Sequence, residues 1–135
     1  MTPREVAKRK VLAEWLRKAD DDLALAEHLL AESASYPNAV AFHSQQAAEK
    51  YLKALLTWRE IPFPKTHDLQ VLLNLLGATD ADLTAVLQDA VVLSAYGVVL
   101  RYPGDRPDAT ATEARDAATM AARVRKGVCC ALPFA

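Results

Sequence analysis

The stretch Phe42-His43-Ser44-Gln45-Gln46-Ala47-Ala48-Glu49-Lys50-Tyr51-Leu52-Lys53 is the most informative part of this chain for chemistry. At about 100° per residue on a helix, His43, Gln46 and Lys50 fall within an arc of roughly 60°. One helical face would then carry an imidazole, an amide and an ammonium in a row. Such a row suits a phosphate or a base edge, with Lys50 as point charge and His43 and Gln46 as hydrogen-bonders. The competing structural reading half-buries His43 beside Val40, Ala47 and Ala54, bonded to a neighbouring helix. Glu49 and Lys53 then form only an i,i+4 pair, contributing about 0.3–0.5 kcal/mol.

Other candidates are sparser. His67, inside Thr66-His67-Asp68-Leu69, reads as an acid, base or ligand, or as a first-turn residue that fixes a loop; the second reading is preferred. His28 falls on the charged side of the first helix and is expected to be solvated. Arg101 and Tyr102 close a late helix. Arg101 can satisfy the last carbonyls there or present its planar fork to phosphate, and Tyr96 lies nearly two turns earlier. The basic residues Lys8, Arg9, Lys10, Arg17 and Lys18 are diluted by Glu5, Glu14 and Asp20 to Asp22, so they read as solvated surface. No glycine-rich phosphate loop, nucleophile elbow or zinc signature occurs. Cys129 and Cys130 are adjacent, which suits neither a relaxed disulfide nor a metal site. No metal and no cofactor is expected.

The elements that must position these residues are helices. Glycine is scarce, with four residues, and the breaks coincide with proline. A first helix is predicted from about Arg4 or Val6 to Ala34, with Val11, Trp15, Ala19, Leu23, Ala26 and Leu30 on one side. A second is predicted from an Asn38 cap to about Arg59, with Val40, Ala47, Tyr51, Ala54 and Trp58 as its stripe. Ile61-Pro62-Phe63-Pro64 interrupts. Thr66 caps a short third helix carrying Leu69, Leu72, Leu73 and Leu76, with Gly77 as its stop. Thr79 or Asp80 opens a fourth, running to about Leu100 or Arg101, with Leu83, Leu87, Ala90, Ser94 and Gly97 on one side. Thr110 and Glu113 have capping-box spacing for a fifth, whose core side is Ala114, Ala117, Ala121, Val124 and Val128.

This pattern predicts an all-α, up-and-down bundle of four to five helices. It forms a single domain over residues 1–135, with its core at about 11–128. The most apolar run, Ala90 to Leu100, is too short to span a bilayer, and no secretion signal precedes it, so a cytoplasmic protein with no membrane partner is expected. The net charge of −1 excludes only a domain that acts wholesale as a polycation. Aromatics make up 7% of residues, which leaves few rings for stacking bases along a strand.

The order of signals resembles the HEPN family. The likeness rests on Trp15 with Ala19 and Asp22-Leu23, then Phe42 to Leu56, then Thr66-His67-Asp68-Leu69, then Tyr96 with Arg101-Tyr102-Pro103. It spans roughly Trp15 to Arg125. The resemblance implies a helical bundle that forms a homodimer and binds nucleotides or RNA. It also implies pairing with a small nucleotidyltransferase, in some cases as toxin and antitoxin. Many relatives are metal-independent endoribonucleases marked by Arg, four to six residues, then His. Here Arg101 is followed by Tyr-Pro-Gly-Asp-Arg-Pro-Asp and no later histidine.

The preferred reading is therefore a dimeric HEPN-type nucleotide- or RNA-binding module with a nucleotidyltransferase partner. His43, Gln46, Lys50, Arg101 and Tyr102 line its cleft. Two alternatives stand beside it. One is a metal-free endoribonuclease toxin using Arg101 with His43 across helices. The other is a helical dimer that only binds protein.

Overall fold

The computed structural model describes residues 1–32, 36–97 and 107–133. Its elements are α1 (Pro3–Ala31), α2 (Pro37–Trp58), α3 (Leu69–Gly77), α4 (Ala81–Leu87), a 3-10 helix (Gln88–Tyr96) and α5 (Ala111–Ala131). No strand occurs among the described residues, and no helix there is long and apolar enough to cross a membrane. The all-α bundle expected from the sequence is the observed one.

α2 is the axis. It packs along α1 on one side and α5 on another, while α3 and the 3-10 helix close a third side. Ala41, Ala47, Ala48 and Ala54 are fully buried on it, and their small side chains let three neighbours approach. Burial all round is what a central helix requires. α3 contributes Leu69, Leu72, Leu73 and Leu76, all buried. Each such leucine contributes about 1.5–3 kcal/mol by leaving water.

Several ends follow the sequence closely. Thr110 and Glu113 form the capping box of α5, and Ala114, Ala117, Ala121, Val124 and Val128 are on its buried face. α2 ends in a paired-bond cap: Ile61 N donates to Leu56 O at 2.9 Å and Glu60 N to Thr57 O at 3.1 Å. Glu60 adopts φ 57°, the left-handed conformation such a cap needs.

Other expectations are corrected. On α1, Leu12 is buried and Val11 is 49% exposed, so the inward stripe is turned by one residue at that end. Asn38 does not cap α2. Its side chain instead donates to Asp108 Oδ1 at 2.9 Å and accepts from Ala109 N at 2.8 Å, joining the starts of α2 and α5. Asp68, not Thr66, caps α3, because its carboxylate reaches Gln70 N at 2.9 Å, while Thr66 Oγ1 accepts from Asp68 N. The predicted fourth helix is α-helical only to Leu87 and then tightens to 3-10 geometry. Leu87, Ala90 and Leu93 are buried there at steps of three, the repeat of a 3-10 helix. Arg101, Tyr102 and Pro103 lie outside the described residues, as does the predicted end of that helix.

Candidate functional site: a carboxylate-bridged row on α2

The polar row of α2 lies against α1 and the loop before α3. His43, Gln46 and Lys50 share one flank of α2, as their spacing requires. What organises them comes from α1. Asp22 Oδ1 lies 2.9 Å from His43 Nδ1, and Asp22 Oδ2 accepts from Lys50 Nζ. One carboxylate therefore bridges an imidazole and an ammonium seven residues apart. All three side chains keep some exposure, Lys50 and His43 more than Asp22. With His43 neutral the group is charge-balanced, and with His43 protonated it carries a net +1.

Gln46 belongs to a second chain of contacts. Its Nε2 donates to Gln45 Oε1 at 2.6 Å, and Gln45 Nε2 donates to Glu49 Oε1 and to the His67 carbonyl, both at 3.1 Å. Glu49 also meets His67 Nδ1 at 2.8 Å and accepts from Lys53 Nζ at 2.9 Å. Glu49 and Lys53 are almost enclosed, with side chains 5% and 8% exposed, whereas His67 is 63% exposed. The Glu49–Lys53 contact is thus more than a helix-surface pair. Buried charge is tolerated here because Glu49 is satisfied from three directions. His67 pins the proline loop to α2, in line with its expected loop-fixing role.

Gln45 is held just as closely from the other side. A Cβ added to Gly97 would lie 2.8 Å from Gln45 Cδ and Nε2, so only glycine leaves room for this amide. Ser44 is fully buried, and its hydroxyl has no hydrogen-bond partner among the described residues.

The candidates named from the sequence therefore divide. His43 and Lys50 come together, Gln46 joins the neighbouring network, and Arg101 and Tyr102 lie outside the described residues. Sequence reasoning misses Asp22 and Gln45 as site residues. Asp22 carries two signals: it belongs to the Asp22-Leu23 pair of the family likeness, and it sits next to the buried Leu23, an edge position on α1. His28 is exposed, 3.6 Å from Glu32. Tyr96 packs against the core, its hydroxyl 3.4 Å from Glu113 Oε2. Among the described residues no group of three or more His, Cys, Asp or Glu side chains could hold a metal ion.

Comparison with known proteins fits this architecture. The family model of the HEPN domain matches residues 12–129. A crystal structure of TT1696 from Thermus thermophilus superposes with a TM-score of 0.73 at 29% sequence identity, covering 90% of this chain and 98% of that one. No curated protein sequence matches significantly. With the family model spanning α1 to α5 and the same bundle in a solved structure, the chain belongs to the HEPN domain family.

Proposed function

We propose that the chain is a HEPN-type binding module for RNA or a nucleotide. In this reading it is a cytoplasmic dimer that acts with a small nucleotidyltransferase partner as a toxin–antitoxin-like pair. The observation that carries the reading is the Asp22-bridged pair, in which His43 and Lys50 are held together yet remain partly exposed. A phosphate oxygen entering this site exchanges one anionic partner of Lys50 for another, and His43 donates a second contact from its outer nitrogen when the ring is protonated. Gln46 supplies an amide beside them. Dimerisation would bring two such rows toward a shared cleft.

Lys50→Ala tests the reading directly. Binding of single-stranded RNA should weaken, and the slope of log K against log salt should shrink by about 0.7, the loss of one phosphate contact. Unchanged affinity and slope would remove Lys50 from the site.

One observation favours a second reading, a metal-independent endoribonuclease. A carboxylate at 2.9 Å from His43 Nδ1 orients the other ring nitrogen outward, the arrangement that prepares a general base or acid. RNA incubated with chelator and with wild-type or His43→Ala protein separates the two readings. Binding without cleavage supports the module. Cleavage lost in His43→Ala supports the enzyme, and Arg101 becomes the next residue to replace.

A further inference from the structure

The row on α2 meets α1 at Asp22. On α1, Val11, Trp15, Lys18 and Asp22 are spaced by four, three and four residues, which places them within about 60° of one another around the helix. The flank that carries the bridging carboxylate therefore continues toward the N-terminus through the exposed Lys18 to an apolar end at Trp15 and Val11. A groove of about 230 Å³ lies there, lined among the described residues by Val11, Glu14, Trp15 and Lys18.

Three features define what this groove would accept. Its wall is mostly carbon, contributed by the half-buried Trp15 indole and the exposed Val11 side chain. Trp15 is fixed from within, edge-on to Phe63 at 6.3 Å and with Lys53 Nζ 5.6 Å from its ring. The rim carries both signs: Glu14, which Arg17 engages at 2.5 Å, and the exposed Lys18, which is the cation lining the groove among the described residues. Arg17 beside Glu14 also holds that carboxyl below its usual range.

The geometry points to this groove as a nucleobase subsite, with Trp15 as the stacking platform and Lys18 meeting the sugar–phosphate that leads to His43 and Lys50. The inference rests on the proposed nucleotide or RNA binding. Size supports one base as occupant. Pockets that enclose drug-sized ligands run to roughly 300–1,000 Å³, so this smaller groove takes a single ring system and leaves the phosphates outside. Spacing supports it as well. Trp15 and Asp22 are seven residues apart, about 10 Å along the helix, which a nucleotide or a short strand can span. One fixed ring suffices, because stacking is tolerant of sequence.

The experiment uses Trp58→Phe protein, so that Trp15 is the remaining tryptophan. Its fluorescence and the binding isotherm are read together against AMP, a short oligoadenylate and an abasic strand of equal length. Oligoadenylate should quench Trp15 saturably, and the abasic strand should bind without quenching. Quenching by AMP alone identifies a free nucleotide as the source of the base, and quenching only by the strand identifies RNA. Val11→Gln, at an exposed position, narrows the groove without adding charge and should weaken oligoadenylate binding about tenfold, the scale of one stacked base, while leaving the abasic strand unaffected. Oligoadenylate binding without quenching, and unaffected by Val11→Gln, would overturn the subsite while leaving the binding module intact. Binding of none of the three probes would remove the binding module and the subsite together.

Discussion

Asp22 Oδ1 lies 2.9 Å from His43 Nδ1, and this contact sets which imidazole nitrogen faces outward. An ionised carboxylate only accepts, so neutral His43 carries its proton on Nδ1 and presents an unprotonated Nε2. Asp22→Asn keeps the shape, removes the charge and leaves Lys50 without its anionic partner. Nitrogen NMR should show the Nδ1–H tautomer in the wild type and a loss of that preference in the variant. Stability should fall by about 1 kcal/mol, at the low end for a broken pair because Lys50 can extend to water. An unchanged tautomer would mean that Asp22 does not orient the ring.

Two glycines should respond in opposite directions. Gly97→Ala drives a methyl to 2.8 Å from the buried Gln45 amide and disturbs its bonds to Glu49 and His67. Overpacking of that kind costs about 1–3 kcal/mol. Gly77→Ala meets only Thr84 at 3.5 Å and sits at the end of α3, where alanine is the better helix former. It should be neutral or stabilise by up to about 1 kcal/mol. Denaturant unfolding of both proteins checks the pair of signs.

Tyr51 gives a pH dependence. Burial first, and then its hydrogen bond to Asp20, hold the phenol well above its ordinary range, and Arg125 approaches the same carboxylate at 3.2 Å. An unfolded tyrosine releases its proton near pH 10. Above that pH the unfolded state binds fewer protons than the folded one, so stability falls as pH rises. The melting temperature should therefore decline above about pH 10, and the decline should be shallower in Tyr51→Phe. At neutral pH that variant loses one hydrogen bond, about 1 kcal/mol. Parallel curves for the two proteins would refute the assignment.

Ser44 offers the reverse of the usual mutational loss. Its hydroxyl is buried without a partner among the described residues, so the protein bears a desolvation cost with no compensating bond. Ser44→Ala should stabilise by about 0.5–1.5 kcal/mol, from the removed hydroxyl and the better helix propensity of alanine. A destabilised variant would show that the hydroxyl has a partner in solution.

Much of the fold was legible because its signals are local. The Thr110–Glu113 box, the four leucines of α3 and the proline break after α2 each act within one or two turns, so composition and spacing determine them. The same holds for the shared flank of His43, Gln46 and Lys50, which follows from helical rotation alone. Local rules failed where two geometries compete for one sequence. The segment after Leu87 adopts 3-10 spacing because Leu87, Ala90 and Leu93 bury well at steps of three. Periodicity also placed Val11 inward where the structure buries Leu12, a difference of one residue and about 100°.

The sequence by itself determined the helical class, most of the breaks and the polar face of α2. Only the tertiary structure decided what that face meets. Asp22 reaches His43 from 21 residues away and Lys50 from 28, Glu49 finds His67 across 18, and Asn38 finds Ala109 across 71. Periodicity fixes how a helix is rotated about its own axis, but not which helix lies opposite or at what height. That choice comes from packing α2 among α1, α5 and α3, and it converts a row of polar residues into a carboxylate-bridged site.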